Sequence, residues 1–73
     1  MTLTERLEQI HDSQEALEDG GAILYSKKRH YVSGVPYNFS YYQERAFRFK
    51  SVEQAKQVAI EFELDDFEPV SMR

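Results

Sequence analysis

The sequence predicts a small two-layer α+β domain in which two helices pack on one face of a three-stranded sheet. Two segments near the chain ends carry apolar residues at helical spacing, and the segment between them has the composition of extended strands. A clear turn signal, Ser33-Gly34-Val35-Pro36, divides that middle segment into the arms of a long antiparallel hairpin. The predicted order is helix, strand, strand, helix, strand, and residues 1–73 are expected to form a single domain.

The first helix is predicted over residues 3–18. Four apolar residues recur at spacings of four, three and seven, which places them on one helical stripe: Leu3, Leu7, Ile10 and Leu17. Thr2 and Glu5 have the spacing of a capping box, and Gly20 would end the helix. Asp12 and Ser13 are weak helix formers, which favours a break near them. The stripe fits two alternatives, packing on the protein's own sheet or pairing with the same helix of a second copy.

The hairpin is predicted over residues 22–50. Its first arm opens with the apolar run 22–25, and its second arm extends to Phe49. Near the end of the second arm, alternation places Phe47 and Phe49 on the core side, together with Phe39 earlier in the arm. The same alternation places Arg48 and Lys50 in water.

The second helix is predicted over residues 52–62, because Ser51 and Gln54 form a capping-box pair and an apolar stripe follows them. The last strand is predicted over residues 65–71. Pro69 has no N–H to donate to a sheet ladder, so this strand is expected at an edge.

Composition excludes several classes of protein. The chain has no cysteine, so disulfides and thiolate metal sites are excluded, and two histidines do not make a structural zinc site. We therefore expect no metal and no cofactor. No apolar run is long enough to cross a bilayer, and the N-terminus is polar and acidic rather than signal-like. A cytoplasmic protein without membrane contact is expected.

Residues 22–50 concentrate the aromatic and basic residues. They contain eight of the ten aromatic residues, and six basic residues against the single acid Glu44, which gives a formal charge of +5. The flanking residues 1–21 and 51–73 carry −5 and −4. Aromatic rings beside positive charge are typical of nucleic-acid surfaces and of protein interfaces alike.

No arrangement in the sequence indicates catalysis. Adjacent Asp65 and Asp66 would point to opposite faces of a strand, and His11, Asp12 and Ser13 would spread around a helix. An enzyme is therefore not expected.

The remaining candidates for partner binding are the exposed basic and aromatic residues of the hairpin. They are Lys27, Lys28, Arg29, His30, Tyr31, Tyr37, Tyr42, Arg48 and Lys50. Tyrosine is enriched at protein interfaces, and the net charge of −4 disfavours a phosphate backbone. The leading hypothesis is a small interaction or regulatory protein that binds another protein or itself, including as a homodimer. The alternative is a nucleic-acid-binding module. A third hypothesis is that the acidic surfaces mimic nucleic acid and bind a basic partner.

Overall fold

The computed structural model describes residues 1–13, 16–18, 20–34 and 38–72, and it confirms a small α+β fold. The two helices and four strands of these residues are α1 (Leu3–Ser13), β1 (Ala22–Ser26), β2 (His30–Val32), β3 (Phe39–Ser40), α2 (Val52–Glu61) and β4 (Glu68–Ser71). A short 3-10 helix, Gln43–Arg45, follows β3. The sheet has four strands in the order β3-β2-β1-β4, each antiparallel to its neighbour, so the prediction of three strands was wrong.

The helix α1 begins at the predicted capping box. The Thr2 N–H donates to Glu5 Oε1 at 3.0 Å, and the Glu5 N–H donates to Thr2 Oγ1 at 3.2 Å. The helix ends at Ser13, whose hydroxyl donates to the Ile10 carbonyl at 2.7 Å, and residues 16–18 are not helical. Side-chain competition of this kind explains why the helix is shorter than the predicted residues 3–18.

The helix α2 is capped at both ends by hydrogen bonds. The Gln54 N–H donates to Ser51 Oγ at 3.2 Å, as the capping spacing predicts. At the C-terminal end, the Leu64 N–H donates to the Ala59 carbonyl at 2.8 Å, and Glu63 has a positive φ of 54°. This is a Schellman motif with a glutamate where glycine is usual.

The predicted hairpin contains one more turn than expected. Strands β1 and β2 are joined by residues 27–29, so the first arm of the predicted hairpin is itself divided into two paired strands. Ser26 Oγ accepts the N–H groups of Lys28 and Arg29 at 3.2 and 3.4 Å, which closes this turn. The chain reverses again between the paired residues Val32 and Phe39, the stretch that contains the predicted turn, of which residues 35–37 lie outside the described residues.

Residues 46–49 are bonded to both β1 and β2 instead of forming a hairpin arm. Ala22 and Phe49 exchange two backbone hydrogen bonds at 3.0 and 2.7 Å, and the Phe47 N–H donates to the Val32 carbonyl at 2.8 Å. Phe49 is fully buried and Phe47 is half-buried, which confirms that both rings point inward. Arg48 between them is exposed, as predicted.

Both helices contribute apolar side chains to one core, while Ile60 of α2 is exposed. The cluster is formed by Leu3, Leu7, Ala22, Leu24, Val32, Phe49, Ala55, Val58, Leu64 and Phe67. Because side chains alternate along a strand, Ala22 and Leu24 face this core, whereas Ile23 and Tyr25 face the other side of the sheet. The outer face therefore carries Ile23 opposite Val70, and Tyr25 opposite Tyr31.

Strand β4 lies at one edge of the sheet. The Met72 N–H donates to the Gly21 carbonyl at 2.9 Å, and hydrogen-bonded and non-bonded pairs alternate in an antiparallel ladder. The pair Leu24–Pro69 is then a non-bonded pair, and the nitrogen of Pro69 faces away from β1. A proline nitrogen at this position removes a donor from the outer edge and discourages pairing with another strand.

Candidate functional site

One end of the sheet gathers exposed basic and aromatic side chains. Strand β1 ends here, β2 begins and β3 ends, because neighbouring strands run antiparallel. We define the turn surface as Lys27, Lys28, His30, Tyr41 and Tyr42. All but His30 are exposed, and His30 is half-buried.

His30 occupies an unusual backbone conformation. Its φ is 65°, in the left-handed region that favours glycine or asparagine. This conformation lets three residues connect β1 to β2 while His30 still pairs with Ser26. The imidazole then packs against the ring of Tyr41, with 4.1 Å between the ring centroids.

Tyr41 and Tyr42 extend this aromatic contact into solvent. They are 70% and 57% exposed, and their rings meet edge to face with 5.7 Å between centroids. In a continuing strand, alternation would point these neighbouring side chains to opposite faces. The strand instead ends at Ser40, whose hydroxyl accepts the Tyr42 N–H at 3.2 Å, so both rings lie on one surface.

Arg29 is engaged by the protein itself. Its guanidinium forms two hydrogen bonds with the Asp66 carboxylate, and the Nε–Oδ2 distance is 3.0 Å. Its Cζ also lies 5.0 Å from the ring centroid of Phe39 and 4.9 Å from that of Phe67. Phe39 was predicted in the core, but it is 37% exposed and stacks on Phe67 under this guanidinium.

Asp66 is ionised at neutral pH. The hydrogen bond from Arg29 is the main cause that lowers the pKa of Asp66 from 3.8 to about 2. Ser26 Oγ adds a further hydrogen bond at 2.9 Å. The negative charge of Asp66 is therefore paired with Arg29. This ion pair connects the segment just before β4 to the turn.

A groove of about 340 Å³ runs beside the turn. Its lining is Tyr25, Ser26, Lys27, Lys28, Asp66 and Glu68. Two ammonium groups thus face one carboxylate that is paired with Arg29 and another on Glu68. Sequence reasoning missed Tyr25, Asp66 and Glu68, because the β1–β4 pairing brings together residues about forty positions apart, for which no local signal exists.

Tyr31 lies on the outer face of the sheet. Its ring contacts that of Tyr25 across the two strands, with 5.1 Å between centroids, and it is half-buried. Tyr37 lies outside the described residues.

Arg48 and Lys50 lie at the opposite end of β1. Arg48 Nη1 donates to the Gly20 carbonyl at 2.9 Å. Lys50 is half-buried, and its carbonyl accepts the Glu18 N–H at 2.8 Å. The four residue steps from one end of β1 to the other span about 13 Å, so these two residues are separate from the turn surface.

No protein-family model, curated protein sequence or solved structure matches this chain. In the described part of the chain, no three histidine, aspartate or glutamate side chains converge as metal ligands. Neither α1 nor α2, nor any other described helix, has the length and apolarity needed to span a membrane.

Proposed function

We propose that the chain is a non-enzymatic interaction protein that binds a protein partner through the turn surface. The observation that carries this proposal is the exposed ring of Tyr41, which contacts exposed Tyr42 on one side and His30, in a left-handed backbone conformation, on the other.

Exposure and strain together support a binding role. A non-glycine residue in the left-handed region costs on the order of 1–3 kcal/mol. The ring contact that accompanies it involves Tyr41, which is 70% exposed, so burial offsets little of this cost. Such strain clusters at binding sites, and tyrosine contributes rigid contact area with few torsions to immobilise.

The charges of the groove favour a protein over a nucleic acid. Lys27 and Lys28 share the groove with Asp66 and Glu68. Carboxylates repel a phosphate backbone, whereas mixed charge is typical of the polar rim of a protein interface. The net charge of −4 adds to this repulsion.

Site-specific photocrosslinking in an extract of the native host tests the proposal. A photoreactive phenylalanine replaces Tyr42, and the matched control carries it at Gln57, which is exposed on α2. We expect adducts from position 42 that resist nuclease and are destroyed by protease, with few from position 57. Nuclease-sensitive adducts, or equal adducts from both positions, would contradict the proposal.

Nucleic-acid binding is the second candidate. It is favoured by the exposed Lys27 and Lys28 beside the Tyr25–Tyr31 ring pair, which resembles a stacking platform. An NMR titration with single-stranded DNA and RNA at low and high salt tests it. Shifts in residues 25–31 that vanish at high salt would support nucleic-acid binding, and unchanged spectra at low salt would exclude it.

A further inference from the structure

We infer that the protein partner is a second copy of this chain, whose Lys27–Lys28 turn enters a groove beside α1. This inference rests on the proposed function, because it assigns a partner to the same turn surface. Two complementary features of the molecule carry it, an acidic groove with apolar walls and a protruding turn with two lysines.

The groove lies between α1 and the segment around Phe47 and has a volume of about 330 Å³. It is lined by Leu7, Glu8, His11, Asp12, Gly34 and Phe47. Half-buried Phe47 supplies the apolar surface, whereas Leu7 lies beneath the groove and is only 1% exposed. Glu8 and Asp12 are four residues apart on α1, so their exposed carboxylates lie on the same side of the helix.

This combination suits a lysine side chain. A lysine buries its hydrocarbon stem against apolar groups and keeps its ammonium near water and carboxylates. Among the described residues, neither Glu8 nor Asp12 pairs with a lysine or arginine, and Asp12 Oδ1 lies 3.7 Å from His11 Nδ1.

The turn supplies the matching cations. Lys27 and Lys28 are exposed, and the ion pairs among the described residues do not include them. The Asp66 carboxylate in their own groove is already bonded to Arg29, which leaves Glu68 as the remaining acid there.

The positions of the two features require contact between molecules. The groove includes Gly34, which lies two residues after the end of β2, whereas the turn precedes His30, the first residue of β2. Four residue steps of extended chain correspond to about 13 Å, so the turn and the groove face different ends of the sheet. Contact of the turn with the groove of another copy gives a reciprocal two-fold dimer or a head-to-tail chain.

Exposed charge pairs contribute little individually, so the association is expected to be weak and to decrease with salt. Sedimentation velocity over a range of protein concentrations at low and high salt measures it. The wild type should self-associate at low salt. K27E/K28E and E8K/D12K should each weaken self-association by about tenfold or more, because like charges then face each other.

Sedimentation velocity on a mixture of the two charge-reversed proteins is the decisive measurement. The glutamates of one turn then meet the lysines of the other groove, and association between the two variants should return. K56E, which reverses one exposed charge on α2, should associate like the wild type. K27Q/K28Q removes the turn charges without reversal and should also dissociate.

A wild type that is monomeric at every concentration overturns the inference, as does a mixture that does not associate. A monomer that still gives protein adducts from position 42 overturns the second copy as partner and leaves the proposed function standing. Nuclease-sensitive adducts from that position overturn the proposed function itself.

Discussion

Asp66 links the turn to the last strand through a single ion pair. Its carboxylate binds Arg29 and Ser26, while the Arg29 guanidinium covers the rings of Phe39 and Phe67. The side chain of this one residue therefore connects β1 and its turn to the segment before β4. The aromatic stack under the guanidinium depends on the same contact.

The pH dependence of stability should report this ion pair. Because the pKa of Asp66 is lowered from 3.8 to about 2 in the folded state, the pair stabilises the fold above pH 3.8. That stabilisation is lost as the pH falls from 3.8 to about 2. Urea denaturation across this range should show a smaller loss in D66N than in the wild type.

D65N is the matched control, since it removes the same charge from an exposed neighbour that forms no ion pair among the described residues. It should follow the wild-type pH profile. A D66N profile that parallels the wild type would show that the ion pair does not stabilise the fold.

Two of the described non-glycine residues have a positive φ, one at a helix end and one in the turn surface, and a glycine substitution at each tests the backbone strain there. Glu63 at the end of α2 and His30 have φ of 54° and 65°. E63G should raise the free energy of unfolding by up to about 1 kcal/mol, because glycine adopts this conformation without a Cβ penalty. H30G should gain less, because it also removes the ring contact with Tyr41.

Chemical denaturation of both variants measures the difference. Equal gains in H30G and E63G would show that the His30–Tyr41 contact adds nothing to stability. Binding assays on H30G then complete the comparison, since the proposed function requires weaker binding even where stability rises.

At the scale of elements, the junction of β1 with residues 46–49 brings two backbone segments into close contact at Gly21. Gly21 has a φ of 80°, and a Cβ there would collide with the Phe49 carbonyl oxygen. The same oxygen accepts the Ala22 N–H at 3.0 Å. A side chain at position 21 would therefore push apart the two segments that close the core.

G21A should lower the free energy of unfolding by about 2–4 kcal/mol, from overpacking and from the left-handed backbone together. G34A is the matched control, because its Cβ would lie 3.5 Å from Phe47 Cδ2, an ordinary contact. We expect G34A to range from neutral to a gain of about 1 kcal/mol. Similar effects of the two variants in thermal or urea unfolding would refute this account of the junction.

Local signals in the sequence predicted the starts of both helices but did not predict the turn between β1 and β2. The capping pairs Thr2–Glu5 and Ser51–Gln54 act within four residues, so the sequence contains the whole interaction. The turn at Lys27–Arg29 has no glycine, because His30 takes the left-handed conformation that glycine usually supplies. Its closure by Ser26 gives no distinctive pattern in the sequence.

The candidate surface was predictable in part for a similar reason. Exposure of Lys27, Lys28 and Tyr42 follows from their polarity and position. The contact of Tyr41 with His30 depends on the end of a strand that has only two residues. Alternation of side chains assumes that a strand continues, so it does not predict this contact.

At the scale of the whole molecule, the turn surface and the acidic groove lie toward opposite ends of the sheet. The turn surface presents Lys27 and Lys28 at one end, and the groove with Glu8 and Asp12 opens near Gly34 toward the other. The proposed self-association depends on contact between these two surfaces of different copies.

Line broadening of backbone amides in a native-host extract tests the central claim most directly. We predict that the amide signals of residues 27–30 and 41–42 broaden when the labelled protein is added to the extract. The cause would be slower tumbling in a complex, or exchange of these residues between the free and the bound state. Signals of exposed Lys56 and Gln57 should broaden less, and protease digestion of the extract before addition should abolish the effect. Broadening that nuclease removes and protease leaves, or spectra that do not change, would contradict a protein-binding turn surface.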